Sequence, residues 1–331
     1  MTWFSVLLAA ESTHWLDAVI DALCQQAPPG SFFSFDFNVR ALLALILVSL
    51  TCGGVGALVV GGRMSFFSDA LAHSAFAGVS IGFVIFTVFL ATGQPEQDAD
   101  NFWSWVSLIM LVFGMIVGFG IAWVREQTGL ASDTVIGIFF AFSIGLAAML
   151  RKLMQDRTLF TLEDFLFGDP LTIRAGDLEQ LAILALVTLA LLWFTANSLL
   201  LSSFNTSLAL SRRVPIRLVS YVFIMLLAVI VNLCVRTVGV LLINALLVVP
   251  AATAANLARN LRQVFWLTLL FCLIACICGQ VIAWEVGTRT YDPVTRGRVS
   301  LGIPGTIIFV SVGFFVVSAV LGSLWRDRRP G

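Results

Sequence analysis

ALLALILVSLTCGGVGALVV, residues 41–60, is a run of twenty residues without a single charged side chain. An α-helix rises about 1.5 Å per residue, so about 20 apolar residues cross the roughly 30 Å hydrocarbon layer of a membrane. The run therefore predicts a membrane-spanning helix. The composition agrees, because 59% of the 331 residues are hydrophobic and 11% are charged. Soluble domains carry about 25% charged residues, so the sequence predicts an all-α, polytopic membrane protein.

Nine segments of the chain are long and apolar enough to span a membrane. The predicted spans lie near 39–60, 66–92, 102–124, 133–150, 178–201, 216–234, 237–257, 264–284 and 302–325. Acidic residues among Leu, Trp and Val before the first span are typical of an amphipathic helix at the membrane surface. We therefore expect an interfacial segment at 1–38, a transmembrane domain at 39–325 and a basic cytoplasmic tail at 326–331.

The placement of basic residues predicts the orientation of the chain in the membrane. Cytoplasmic loops of membrane proteins are enriched in Arg and Lys. If the N-terminus is outside the cell, ten of the 19 basic residues lie in the cytoplasmic segments. These segments are shorter in total than the external ones, so their density of basic residues is higher. We therefore predict an external N-terminus and a cytoplasmic C-terminus. The formal net charge of zero gives no indication of nucleic-acid binding.

The second predicted span contains an acid and one of the two histidines of the chain. Asp69 and His73 are four residues apart and share one helix face with Ser65 and Ser80. A carboxylate and an imidazole together suit Zn²⁺ or Mn²⁺. An ionisable group inside a membrane costs at least about 2.5–3.5 kcal/mol, which makes it a functional candidate. An Asp–His hydrogen bond within the bundle and a proton pathway are also compatible with this pattern.

Other residues in the spans receive weaker assignments. Asn244 suits an interhelical hydrogen bond better than metal ligation. Glu285 is a candidate carboxylate at the outer mouth, and a solvated helix end explains it equally well. Pro250 predicts a bend in the seventh helix that frees a backbone carbonyl, with static packing favoured over a hinge. The six cysteines form no Cys-x-x-Cys pair and are expected to be small packing residues.

The chain contains no phosphate-binding loop. The Gly-rich stretch GGVGALVVGG at 53–62 has no lysine and lies within a span, so it cannot hold nucleotide phosphates in the manner of such a loop. If transport is driven by ATP, the hydrolysis takes place on another polypeptide. The best docking segment for that partner is SSFNTSLALSRRVPIR at 202–217, which is short, amphipathic and basic at its end. An ordinary cytoplasmic loop would show the same basic residues.

Three stretches resemble motifs of the membrane permease subunit of bacterial metal-ion ABC importers. They are RMSFFSDALAHSAFAGVSIGF at 63–83, SDTVIGIFFAFSIGLAAML at 132–150 and VGVLLINALLVVPAATAANLARN at 238–260. Two further stretches, FLFGDP at 165–170 and GIPGTIIFV at 302–310, follow the order of the corresponding motifs in that family. The resemblance implies a multi-pass permease of the bacterial inner membrane that is not itself an enzyme, has no permanent cofactor and carries zinc or manganese as its substrate. It also implies three partners: a second copy of the chain, a cytoplasmic ATP-binding subunit and an extracytoplasmic metal-binding protein.

The resemblance also assigns residues. The Asp and His that the family uses for metal passage correspond to Asp69 and His73, although Ser68 and Ala72 replace the family's neighbouring Gly and Ser. The family's ATPase-coupling stretch corresponds to 204–215, where Asn205 replaces the usual acid. The coupling candidates are Leu208, Ala209, Arg212, Arg213, Val214 and Pro215. We expect residues 285–300 to form an extra outer loop relative to the family. There are two rival hypotheses. The first is a stand-alone secondary or proton-coupled transporter that uses Asp69 and His73, and the second is a non-transporting membrane scaffold.

Overall fold

The computed structural model of the chain describes residues 16–86, 95–154, 166–204, 211, 215–289, 291–292, 297–298 and 301–327. Within these residues, nine helices are long and apolar enough to cross a membrane, which confirms the all-α class and the number of predicted spans. The helices are α1 Asp36–Gly61, α2 Phe67–Ile85, α3 Pro95–Thr128, α4 Ser132–Met154, α5 Ala175–Phe204, α6 Ile216–Val238, α7 Val240–Leu257, α8 Leu261–Arg289 and α9 Ile303–Asp327.

Some helix ends differ from the predicted ones. α3 begins at Pro95 rather than near residue 102, because proline is favourable in the first turn of a helix and the polar residues after it continue the helix before the apolar span Trp105–Thr128 begins. The coupling candidates Leu208, Ala209, Arg212, Arg213 and Val214 lie outside the described residues, whereas Pro215 immediately precedes α6.

α1 lies at the centre of the helix bundle. It packs against α5, α7 and α8. In its most apolar stretch 72% of the residues are buried, compared with 22% in the corresponding stretches of the peripheral helices α4 and α9. Small residues permit this close packing. A Cβ atom at Gly56 would lie 2.7 Å from the carbonyl oxygen of Leu247 on α7, and one at Gly53 would lie 3.1 Å from the Cα of Leu269 on α8.

A second group of helices packs around α2. This helix contacts α3 and α4, and α3 in turn packs against α6. A Cβ at Gly78 of α2 would lie 2.8 Å from the Cα of Met110 on α3, so the two backbones nearly touch. On the other side of the bundle α9 packs against α7 and α8, and a Cβ at Gly279 would lie 2.6 Å from the Cα of Ile307.

Pro250 lies in the interior of α7, as the sequence places it. Proline has no N–H, so the carbonyl of Leu246, four residues earlier, loses its partner within the helix. The thiol of Cys272 on α8 points at this carbonyl, with 3.9 Å between Sγ and oxygen. Cys52, Cys234, Cys272 and Cys276 are all buried between helices. In the described ranges no group of three or more His, Cys, Asp and Glu side chains could hold a metal ion.

Two short segments lie at one end of the bundle. A helix at residues 16–26 precedes α1, and its Asp17 pairs with Arg40 of α1 at 3.1 Å. Between α8 and α9, Tyr291–Asp292 pairs antiparallel with Gly297–Arg298. This pair of two-residue strands is all the β-structure in the described residues, and the remaining regular structure there is helical.

Candidate functional site

Asp69 and His73 lie one helical turn apart near the start of α2, with Asp69 in its first turn. Leu71, between them in sequence, packs against Gly118, which is near the middle of the span Trp105–Thr128. The side chains of Asp69 and His73 are 36% and 24% exposed in the single chain. Both side chains are therefore partly accessible on a helix that is long and apolar enough to span a membrane.

The separation of the two groups suits a bridging cation. Asp69 Oδ1 and His73 Nε2 are 3.8 Å apart, which is longer than a hydrogen bond. Zinc binds a histidine nitrogen at about 2.0–2.1 Å and a carboxylate oxygen at about 2.0–2.2 Å, so one ion between the atoms can reach across about 4 Å. The pair therefore has room for a divalent metal ion with little movement of either side chain.

A third residue holds the carboxylate. The Asn244 amide of α7 donates a hydrogen bond to Asp69 Oδ1 at 2.8 Å. This contact joins α2 to α7 and falls on the same carboxylate oxygen that lies 3.8 Å from His73 Nε2. The sequence singled out Asn244 as a residue for interhelical hydrogen bonding, and the structure supplies its partner.

The imidazole of His73 is positioned by an aromatic ring. Phe140 of α4 meets it edge to face, with ring centroids 4.9 Å apart and an interplanar angle of 89°. Sequence reasoning missed this residue, because one Phe in an apolar span carries no distinguishing signal. Ser80, predicted on the same stripe, is fully buried and its hydroxyl donates to the carbonyl of Phe76, so it does not join the pair.

The structure separates Glu285 from the pair. Glu285 lies near the end of α8, past Gln280, whose amide donates to the carbonyl of Asn38 near the start of α1 at 3.1 Å. Asp69 lies in the first turn of α2, which follows the opposite end of α1. Glu285 is therefore at a different depth and does not supply a third ligand to Asp69 and His73.

Polar contacts also join the ends of α3 and α6 next to Pro215. Arg217 pairs with Glu126 at 2.8 Å, and the Tyr221 hydroxyl donates to the same carboxylate at 2.9 Å. Arg125 donates to the Ser220 hydroxyl at 2.8 Å. The sequence shows charges at these helix ends, but their pairing depends on helices that are neighbours only in the folded bundle.

Nine apolar helices in the described residues, one of which carries a partly exposed Asp–His pair, are typical of a polytopic membrane transport protein. Residues 34–295 match the ABC 3 transport family, and the chain belongs to this family. It is 27% identical to the manganese transport system membrane protein MntC of Halalkalibacterium halodurans, over 89% of this chain and 93% of that protein. It is also 27% identical to the high-affinity zinc uptake system membrane protein ZnuB of Haemophilus influenzae, over 75% of this chain and 88% of that protein.

A solved structure has the same fold. A chain of PsaBC from Streptococcus pneumoniae in complex with Fab superposes with a TM-score of 0.66 at 24% identity, over 91% of this chain and 95% of that one. The chain is thus a membrane permease of the ABC 3 transport family.

Proposed function

We propose that this chain forms the membrane path of an ATP-driven importer of divalent metal ions, with zinc as the first candidate and manganese as the second. The observation that carries the proposal is the Asp69–His73 pair, which lies on a span helix, is partly exposed and has 3.8 Å between Oδ1 and Nε2. Relatives named as manganese and zinc transport membrane proteins support the choice of ions.

The path lies between two copies of the chain. One chain supplies two ligands, whereas zinc in a stable protein site usually has four. A second copy related by two-fold symmetry would bring its own Asp–His pair to the same axis. Conduction requires that the ion also leave, so we expect the shared site to bind it weakly.

The remaining partners follow from the family. A cytoplasmic ATP-binding subunit docks on the stretch at 204–215, and an extracytoplasmic metal-binding protein delivers the ion from outside the bacterial inner membrane. Pro215 connects the docking stretch to α6, whose first turns are tied to α3 through Arg217 and Glu126. Movement of the docking stretch would therefore reach both α6 and α3.

Uptake by reconstituted vesicles tests the function. The permease is co-expressed with the ATP-binding subunit encoded beside it, and radioactive zinc and manganese uptake are measured with the metal-binding protein outside. We expect uptake that needs ATP and stops when the ATPase active site is inactivated. Uptake driven by a proton gradient in vesicles without the ATPase would contradict the proposal and establish the secondary transporter instead.

Replacing Asn244 with leucine should weaken metal uptake without preventing assembly. The change removes the donor that orients Asp69. Loss of a residue that orients a metal ligand typically lowers affinity or activity by about 10–100-fold, and we expect an effect near the lower end for uptake at limiting metal concentration.

Asn256→Leu is the matched control, because it removes another interhelical amide on α7, which donates to the Ser318 hydroxyl at 3.1 Å. Both variants lose one hydrogen bond between helices, but only Asn244→Leu should change the metal dependence of uptake. Equal effects of the two variants on that dependence would show that Asn244 acts only through stability.

A further inference from the structure

A polar cavity of about 360 Å³ lies at one membrane boundary, away from the Asp69–His73 pair. Its polar lining consists of Ser107, Asp177, Gln180, Asn232, Arg236 and Thr237. These residues come from the start of the apolar span of α3, the first turns of α5 and the last turns of α6. The cavity is therefore at the depth where lipid headgroups meet hydrocarbon.

Two opposite charges line this cavity without forming an ion pair. Arg236 donates to the Ser107 hydroxyl at 3.1 Å, and Asp177 accepts from the backbone N–H of Arg174 at 3.1 Å. Among the described contacts, none joins the Arg236 guanidinium to the Asp177 carboxylate within 4.0 Å. A ligand that carries both charges would complement both walls at once, with its anionic group at Arg236 and its cationic group at Asp177.

The cavity wall also contains an unpaired acceptor. Asn232 is fully buried, and its Nδ2 donates to the carbonyl of Ala228 at 2.7 Å. Its Oδ1 has no hydrogen-bond partner and is enclosed by the protein, so it is not open to a ligand. The Asp177 carboxylate accepts hydrogen bonds, so a primary ammonium, which has N–H donors, fits this wall better than a quaternary ammonium, which has none.

Exposed apolar side chains lie on the same spans as the cavity residues. Leu108 on α3 and Ile183 and Leu186 on α5 are exposed, and Leu186 reaches 71%. Trp105, also exposed, stands at the start of the α3 span, where aromatic residues are enriched at membrane boundaries. A molecule seated in the cavity would therefore have its polar part among charged groups and apolar chains beside α3 and α5.

We propose that this cavity binds the headgroup of phosphatidylethanolamine, with the phosphate at Arg236 and the ammonium at Asp177. The acyl chains lie against the exposed apolar side chains of α3 and α5. Both helices pack against α6, so the bound lipid joins the ends of three helices. The site is independent of the metal path and of the proposed import function.

Photolabelling of the full chain, purified with its accompanying subunits and placed in phosphatidylcholine nanodiscs, tests the site. The probe is phosphatidylethanolamine with a photoreactive acyl chain. We expect labelled peptides from α3 and α5. Unlabelled phosphatidylethanolamine should compete, whereas added phosphatidylcholine or phosphatidylglycerol should not. Arg236→Gln and Asp177→Asn should each weaken labelling about tenfold, as expected for loss of one charge-assisted contact.

Arg262→Gln is the matched control, because Arg262 lines a different cavity between α7 and α8 and its loss should leave labelling unchanged. Equal competition by phosphatidylcholine in the unaltered protein would overturn the proposal without relying on any variant. Competition by phosphatidylglycerol would also overturn it, since that lipid lacks the ammonium. Labelling that no lipid competes would be non-specific and would also overturn the proposal.

Discussion

Replacing Asp69 with asparagine is expected to reduce metal uptake to background while ATP hydrolysis by the assembled complex continues. The amide keeps the size of the side chain and can still accept from Asn244, but it has lost the negative charge that attracts a divalent ion. His73→Gln should have the same result, because it removes the imidazole nitrogen 3.8 Å away. The measurement is the initial rate of radioactive zinc and manganese uptake, alongside phosphate release.

Matched substitutions elsewhere in the chain are the controls. Asp21→Asn changes an exposed acid in the helix before α1, and His14→Gln changes the other histidine, which lies outside the described residues. Both should transport at the rate of the unaltered protein. Normal uptake by Asp69→Asn and His73→Gln would mean that the pair only braces α2 and that the ion takes another route.

Gly239→Ala should prevent the accumulation of folded protein. Gly239 joins α6 to α7 with φ 83° and ψ 161°, a conformation that is essentially restricted to glycine. A Cβ there would lie 2.5 Å from the carbonyl carbon of Phe167 and 2.6 Å from the nitrogen of Gly168. Backbone strain of a non-glycine residue in this region costs about 1–3 kcal/mol, and the clash with rigid backbone adds to it. The measurement is the yield and thermal midpoint of detergent-solubilised protein.

Gly168→Ala should reproduce the defect from the other side of the contact. Gly168 has φ 63°, and a Cβ there would lie 2.5 Å from the nitrogen of Gly239. Gly137→Ala on α4 is the control, because no atom lies within 4 Å of its Cβ position and alanine is the better helix former. A Gly239→Ala protein with normal yield and midpoint would show that the Gly168–Gly239 contact is not required for folding.

Local pattern was sufficient to predict the helices and the face that carries the site. The spans are recognisable because each is a continuous apolar run, and a run of that length has one stable arrangement in a membrane. Asp69 and His73 could be placed on one face because residues four apart always meet on a helix. The nine spans are confirmed. The orientation of the termini stays a prediction, since it depends on counts of basic residues in the loops.

The sequence by itself determined the class of fold, the number of spans and the Asp–His pair. Only the tertiary structure decided what surrounds that pair: Asn244 holds Asp69 from 175 positions away, and Phe140 of α4 supports His73. It also brought Gly168 against Gly239, and Cys272 to the carbonyl that Pro250 leaves without a partner. Helix periodicity is a local property that can be read along the chain. Contacts between helices depend on which neighbours the bundle brings together, and no local pattern contains that information.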